Sequence, residues 1–96
     1  MEKRYYPVVM LPDDEGYIAA APDVECYTQG GTLDEAIFMI HDAIGLMLED
    51  HIRQDLPLPE PSRVEEIDIS KVFTETDFTN AFIMKVEFDP NAYLRI

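Results

Sequence analysis

The sequence predicts an α+β fold of β-β-β-α-β order, in which a four-stranded mixed sheet is covered by one long helix. Three observations predict it. Residues 5 to 29 are rich in aromatic and β-branched side chains broken by turn formers. Residues 33 to 53 carry apolar side chains at three- and four-residue spacing. Residues 81 to 88 alternate apolar and polar, as a half-buried strand does.

The first strand is expected from Tyr5 to Leu11 and is apolar on both faces. Pro7 cannot donate to a ladder and belongs near the strand's start. Pro12-Asp13-Asp14-Glu15-Gly16 is a run of turn formers that makes a hairpin with a second strand, Tyr17 to Ala21, which Pro22-Asp23 then breaks. A third, short strand from about Cys26 to Gln29 completes an antiparallel meander. Gly30 and Gly31 give the backbone freedom to turn out of it.

Thr32 is placed to cap a helix beginning near Leu33, and Glu35, three residues on, to reach back to the cap's own N–H. Asp34 and Glu35 add negative charge at the positive end of the helix dipole. Ala36, Ile37, Ile40, Ala43, Ile44, Met47 and Leu48 form the buried stripe of a helix running to about Arg53. Glu35, Asp42 and Glu49 recur every seven residues on the outward face. Phe38, Met39 and Leu46 also fall outside the main stripe, which predicts a second contact surface on this helix.

Three prolines between Leu56 and Ser62 end the helix. Residues 56 to 80 read as an extended connection with Ile67, Ile69, Val72 and Phe73 as anchors to the core. The C-terminal strand occupies about residues 81 to 88, with Phe82, Met84, Val86 and Phe88 on one face. A helical crossover from strand three would make this strand parallel to strands one and three, at the free edge beside strand one. One helix covers one face of such a sheet, so a second protomer is expected on the other, as a homodimer or homotetramer.

A chain of 96 residues with 47% hydrophobic content has room for one domain, residues 1 to 96. Its net charge of −13, with seven scattered lysines and arginines, speaks against direct nucleic-acid binding. An acidic surface most often serves solubility, and it also steers basic partners. The single cysteine, Cys26, cannot form an internal disulfide. With no apolar signal core and no stretch long enough to span a bilayer, a cytoplasmic protein without a membrane role is expected.

No catalytic constellation stands out, and the reading is not an enzyme, with no cofactor and no metal. A metal-dependent nuclease of the ribonuclease H type needs a carboxylate on its first strand, and Tyr5 to Leu11 has none. The consecutive acids Asp13, Asp14 and Glu15 lack the spacing of a calcium loop. His41 and His51 are ten residues apart on different helix faces. Cys26 has no basic neighbour to activate it.

Tyr5-Tyr6-Pro7-Val8-Val9, Tyr27-Thr28-Gln29-Gly30-Gly31-Thr32-Leu33-Asp34-Glu35-Ala36, Leu58-Pro59-Glu60-Pro61-Ser62 and the strand at 81 to 88, taken in order and with Tyr93, resemble the HicB family of bacterial antitoxins. The resemblance spans nearly the whole chain. It implies a partial ribonuclease H-like fold of β-β-β-α-β order. It also implies binding and occlusion of a HicA-like toxin, a small basic protein that cleaves messenger RNA with a catalytic histidine. Two departures stand out. The stretch Pro22-Asp23-Val24-Glu25-Cys26 is one residue shorter than is common in the family and lacks its Pro-Gly turn. The chain stops at Ile96 without the appended DNA-binding domain of many members, so operator binding is not expected of it.

The function expected is that of an antitoxin. The alternative is an orphan HicB-like oligomeric regulatory module with another protein partner, and a metal-dependent nuclease ranks third. The partner-binding residues expected are Asp13, Asp14 and Glu15 in the turn, and Glu35, Phe38, Asp42, Leu46, Glu49 and Asp50 on the outward helix face.

Overall fold

A computed structural model describes residues 2–74 and 76–93. Four strands, β1 (Arg4–Asp13), β2 (Gly16–Ala21), β3 (Cys26–Gly30) and β4 (Phe82–Phe88), form one sheet in the order β3-β2-β1-β4. A long helix α1 (Leu33–Arg53) follows β3, and a single turn of helix, α2 (Ile69–Val72), lies in the connection to β4. The element order and the span of α1 agree with the sequence reading.

Every strand pair is antiparallel, including β1 with β4, where Arg4 faces Phe88 and Met10 faces Phe82. The sheet is therefore antiparallel and not mixed. A short link from α1 would have brought the chain back parallel to β1. The actual connection, residues 54 to 81, is long enough to carry the chain to the opposite end of the sheet before β4 begins. Strand four does take the edge beside β1. Pro7 is the fourth residue of β1 and not its start, but β2 pairs only with Val9–Asp13, so at Pro7 the strand has β4 alone as a neighbour. The missing donor costs little there.

The core lies between α1 and one face of the sheet. Tyr6, Val8 and Met10 of β1, Ala19 and Ala21 of β2, and Val86 and Phe88 of β4 meet Ala36, Ile40, Ile44 and Leu48 of the helix, and all are buried. Burying such side chains is the main favourable term for a chain of this size. Met47, placed in the apolar stripe by its spacing, is 40% exposed at the stripe's margin.

The second face is not left open. Pro7, Val9 and Leu11 point away from α1 and are nonetheless buried. The connection returns across that face as a strap. Its half-buried Val72 and Phe73 border a groove of about 640 Å³ together with Ile18, Ala20 and Tyr27 of the sheet. Ile67 and Ile69 are also half-buried. The connection thus does in part, within one chain, what a second protomer was expected to do.

The start of the connection is tied to the strands by side chains. The Tyr6 hydroxyl donates to the Pro59 carbonyl at 2.7 Å, and Arg4 donates to the same oxygen at 3.2 Å. Asp23 accepts from both the backbone N–H and the hydroxyl of Ser62, each at 2.7 Å. Beyond Ser62, the hydrogen bonds of residues 63 to 80 among the described residues are made within the connection itself or with Ala81. The strap is held to the body by apolar contact.

Candidate partner-binding surface

Three pieces of backbone meet at one end of the sheet: the β1–β2 turn, the end of β3 and the first turn of α1. Gly16 lies at φ 141°, where a side chain is strained, and a Cβ there would run into the carbonyl of Gly30. A Cβ on Gly30 would stand 2.5 Å from the backbone nitrogen of Ala36. The two glycines let turn, strand and helix stack backbone against backbone.

Thr32 Oγ1 accepts from the N–H of Glu35 at 3.1 Å, the cap that the sequence predicts. The Glu35 carboxylate accepts from Gly31, at 3.3 Å, rather than from the N–H of Thr32. Its reach is one residue longer than the capping-box pattern predicts, because the open Gly31 presents its donor to the helix end.

This stacking joins two stretches that are far apart in sequence. Asp13, Glu15 and Glu35 border one shallow groove of about 180 Å³, with Tyr17, Gln29, Gly30 and Gly31 as its walls. Asp13 also accepts from the N–H of Glu15 at 2.8 Å, which closes the turn and fixes its carboxylate. Asp14 is exposed at the tip of the turn.

The remaining expected residues run along α1. Phe38, Asp42, Leu46 and Asp50 stand four residues apart and form a single ridge, alternately apolar and acidic. Phe38 is 69% exposed and Leu46 61%, large values for side chains that cost free energy in water. Glu49 pairs with Arg53 at 2.8 Å, and Asp50 accepts from Gln54 at 2.8 Å, so the last turn holds its acids in place. From Glu35 to Asp50 the ridge is roughly 22 Å long. The turn acids lie at one end of it, and Glu49 and Asp50 lie at the other.

The sequence reading named the acids, Phe38 and Leu46, and put Gly16 in the turn and Gly30 at the end of the third strand, but it did not show that these two glycines stack turn, strand and helix together beside Tyr17 and Gln29. The glycine directly after an acidic turn was the available signal. His41 and His51 are not brought together: His41 is exposed, and His51 Nδ1 lies 2.9 Å from the Met47 carbonyl. Cys26 packs against the core, and burial pushes its thiol pKa up, away from reactivity. Among the described residues no helix is long and apolar enough to cross a membrane.

A sheet of this order thus lies under one long helix that carries a solvent-facing ridge of acids and large apolar side chains. The model of the HicB-like antitoxins of bacterial toxin-antitoxin systems matches residues 6–95, and the chain belongs to that family. It is 33% identical over 91 residues to antitoxin HicB 1 of Photorhabdus laumondii, covering 85% of this chain and 59% of that protein. It is 32% identical over 62 residues to an uncharacterised 14.9 kDa protein from the rep-hol intergenic region of Haemophilus phage HP1, covering 64% of this chain and 47% of that one. The chain thus spans roughly half the length of these curated relatives. Its fold is also that of a chain in a toxin-antitoxin complex from Streptococcus pneumoniae, with a TM-score of 0.80 at 28% identity, over 98% of this chain and 74% of that one.

Proposed function

We propose that this protein is a cytoplasmic antitoxin that binds a small basic RNA-cleaving toxin of the HicA type and covers its active site, without enzymatic activity of its own. Family membership supports the reading, as does the likeness to a chain of a toxin-antitoxin complex. The observation that carries the site is the ridge on α1 continuous with the acidic groove at its N-terminal end.

A toxin that cleaves RNA must attract phosphate and therefore presents positive potential around its catalytic group. Carboxylates at Asp13, Asp14, Glu15, Glu35, Asp42, Glu49 and Asp50 match that potential and speed encounter. Phe38 and Leu46 supply the desolvated contact that charge alone does not. Residues 1 to 96 act here as one domain, as a dimer or larger assembly, and without direct contact to DNA.

RNA cleavage by a small basic toxin of the HicA type provides the test. Stoichiometric addition of this protein should abolish cleavage. Unchanged cleavage, with no complex on gel filtration, would contradict the assignment and leave the family relationship without this activity.

A further inference from the structure

The two edges of the sheet differ in chemistry. β4 carries the charges of Lys85 and Glu87, and Lys3 lies 3.3 Å from Glu87. Charged side chains of this kind keep other strands off an edge. The opposite edge, β3, reads Cys26-Tyr27-Thr28-Gln29-Gly30 and has neither a charge nor a proline. Among the described residues, Tyr27, Thr28 and Gln29 make no backbone hydrogen bond outside the ladder to β2, so the outward N–H and C=O groups of this stretch are open.

A trough follows β3. At the Cys26 end it is the groove of about 640 Å³ between Ile18, Ala20 and Tyr27 of the sheet and Val72 and Phe73 of the strap. A hollow of about 170 Å³ comes next, bordered by Ile18, Tyr27 and Gln29. The groove of about 180 Å³ that holds Asp13, Glu15 and Glu35 follows, again with Gln29 in its wall. The register explains the continuity: Ile18 pairs with Gln29 and Ala20 with Tyr27, and all four project from the face opposite α1. The trough is apolar at one end and acidic at the other.

We propose that β3 accepts an extended segment of the toxin as an added strand, with apolar side chains of that segment in the groove beside Phe73 and a lysine or arginine among Asp13, Glu15 and Glu35. This rests on the antitoxin reading and specifies how that partner is held. In strand addition the open main-chain groups supply affinity, and pockets for alternate side chains supply specificity. Cys26 to Gly30 offers roughly 13–17 Å of edge, room for about five residues. Two observations select a basic protein segment as the occupant. The acidic end of the trough is continuous with the ridge of α1, since Glu35 belongs to both. A second copy, with a net charge of −13, would bring further acid to that end, whereas a cationic segment complements it.

The test is amide hydrogen exchange of this protein, free and in complex with a small basic toxin of the HicA type. Outward-facing amides of Tyr27 to Gln29 should exchange roughly tenfold or more slowly in the complex, while those of β4 should keep their free rates. Tyr27→Ala and Gln29→Lys alter exposed side chains on this strand and should each weaken toxin binding roughly tenfold. Lys85→Ala, on the other edge, should change it less than about twofold. Circular dichroism checks that the variants remain folded. A complex that forms while the β3 amides keep their free exchange rates, or whose affinity is indifferent to both β3 variants, would overturn the strand addition and leave the antitoxin reading standing. No complex at all would overturn both.

Discussion

Tyr6 links the core to the chain that leaves the helix. Its ring is fully buried under α1, and its hydroxyl donates to the Pro59 carbonyl at 2.7 Å. Burial pushes the pKa of its phenol up, and the nearby Arg4 only partly opposes this. The folded pKa therefore lies above the unfolded one. The contribution of Tyr6 is fully present below the unfolded value of about 10 and is lost as pH rises through the folded value. Tyr6→Phe should cost about 1 kcal/mol at neutral pH through the lost hydrogen bond. It should also flatten the loss of stability above pH 10 relative to the parent, as urea unfolding at neutral and alkaline pH would show. Asp55 illustrates a different residue-scale constraint. It closes α1 at φ 56°, with the N–H of Asp55 bonded to Ile52 and that of Leu56 to His51, a helix end usually built on glycine.

At the scale of elements, the strap depends on its first anchor. Asp23→Ala removes both bonds to Ser62, where a carboxylate is the acceptor, and should destabilise the protein by roughly 2–3 kcal/mol. Amide exchange at Glu60, Ser62 and Arg63 should rise with it, and exchange unchanged from the parent would show that the apolar contacts of the strap suffice alone. These elements also mark what the sequence discloses. The span of α1 was legible because its stripe, the Thr32 cap and the prolines beyond Leu56 agree on both ends. The direction of β4 was not. Alternation reveals that a strand is half-buried, whereas its direction depends on which end of the sheet the preceding connection reaches. Asp23 read as a strand breaker because its partner, Ser62, is 39 residues away. Likewise the acids of the turn and of α1 were legible one by one, but their meeting at Gly16 and Gly30 depends on backbone contacts that no periodicity encodes.

For the whole molecule, charge and shape are divided among surfaces. The ridge of α1 and the turn carry acids beside exposed Phe38 and Leu46, while Lys3, Arg4, Arg63 and Lys85 line a separate cleft together with Glu2 and Glu60. In the proposed function the acidic ridge and turn form the surface that covers the toxin. The most direct measurement is the association rate of a basic toxin of the HicA type with variants reversed at two acids, by stopped flow at two salt concentrations. Reversal of Glu35 and Asp42 to lysine should slow association at least tenfold at low salt and less at high salt, with a smaller effect for Asp13 and Glu15. Reversal of Glu65 and Glu66, on the connection, should change it less than about twofold, since charges remote from an interface contribute little. Equal rates for all three double variants would contradict the assignment of this face.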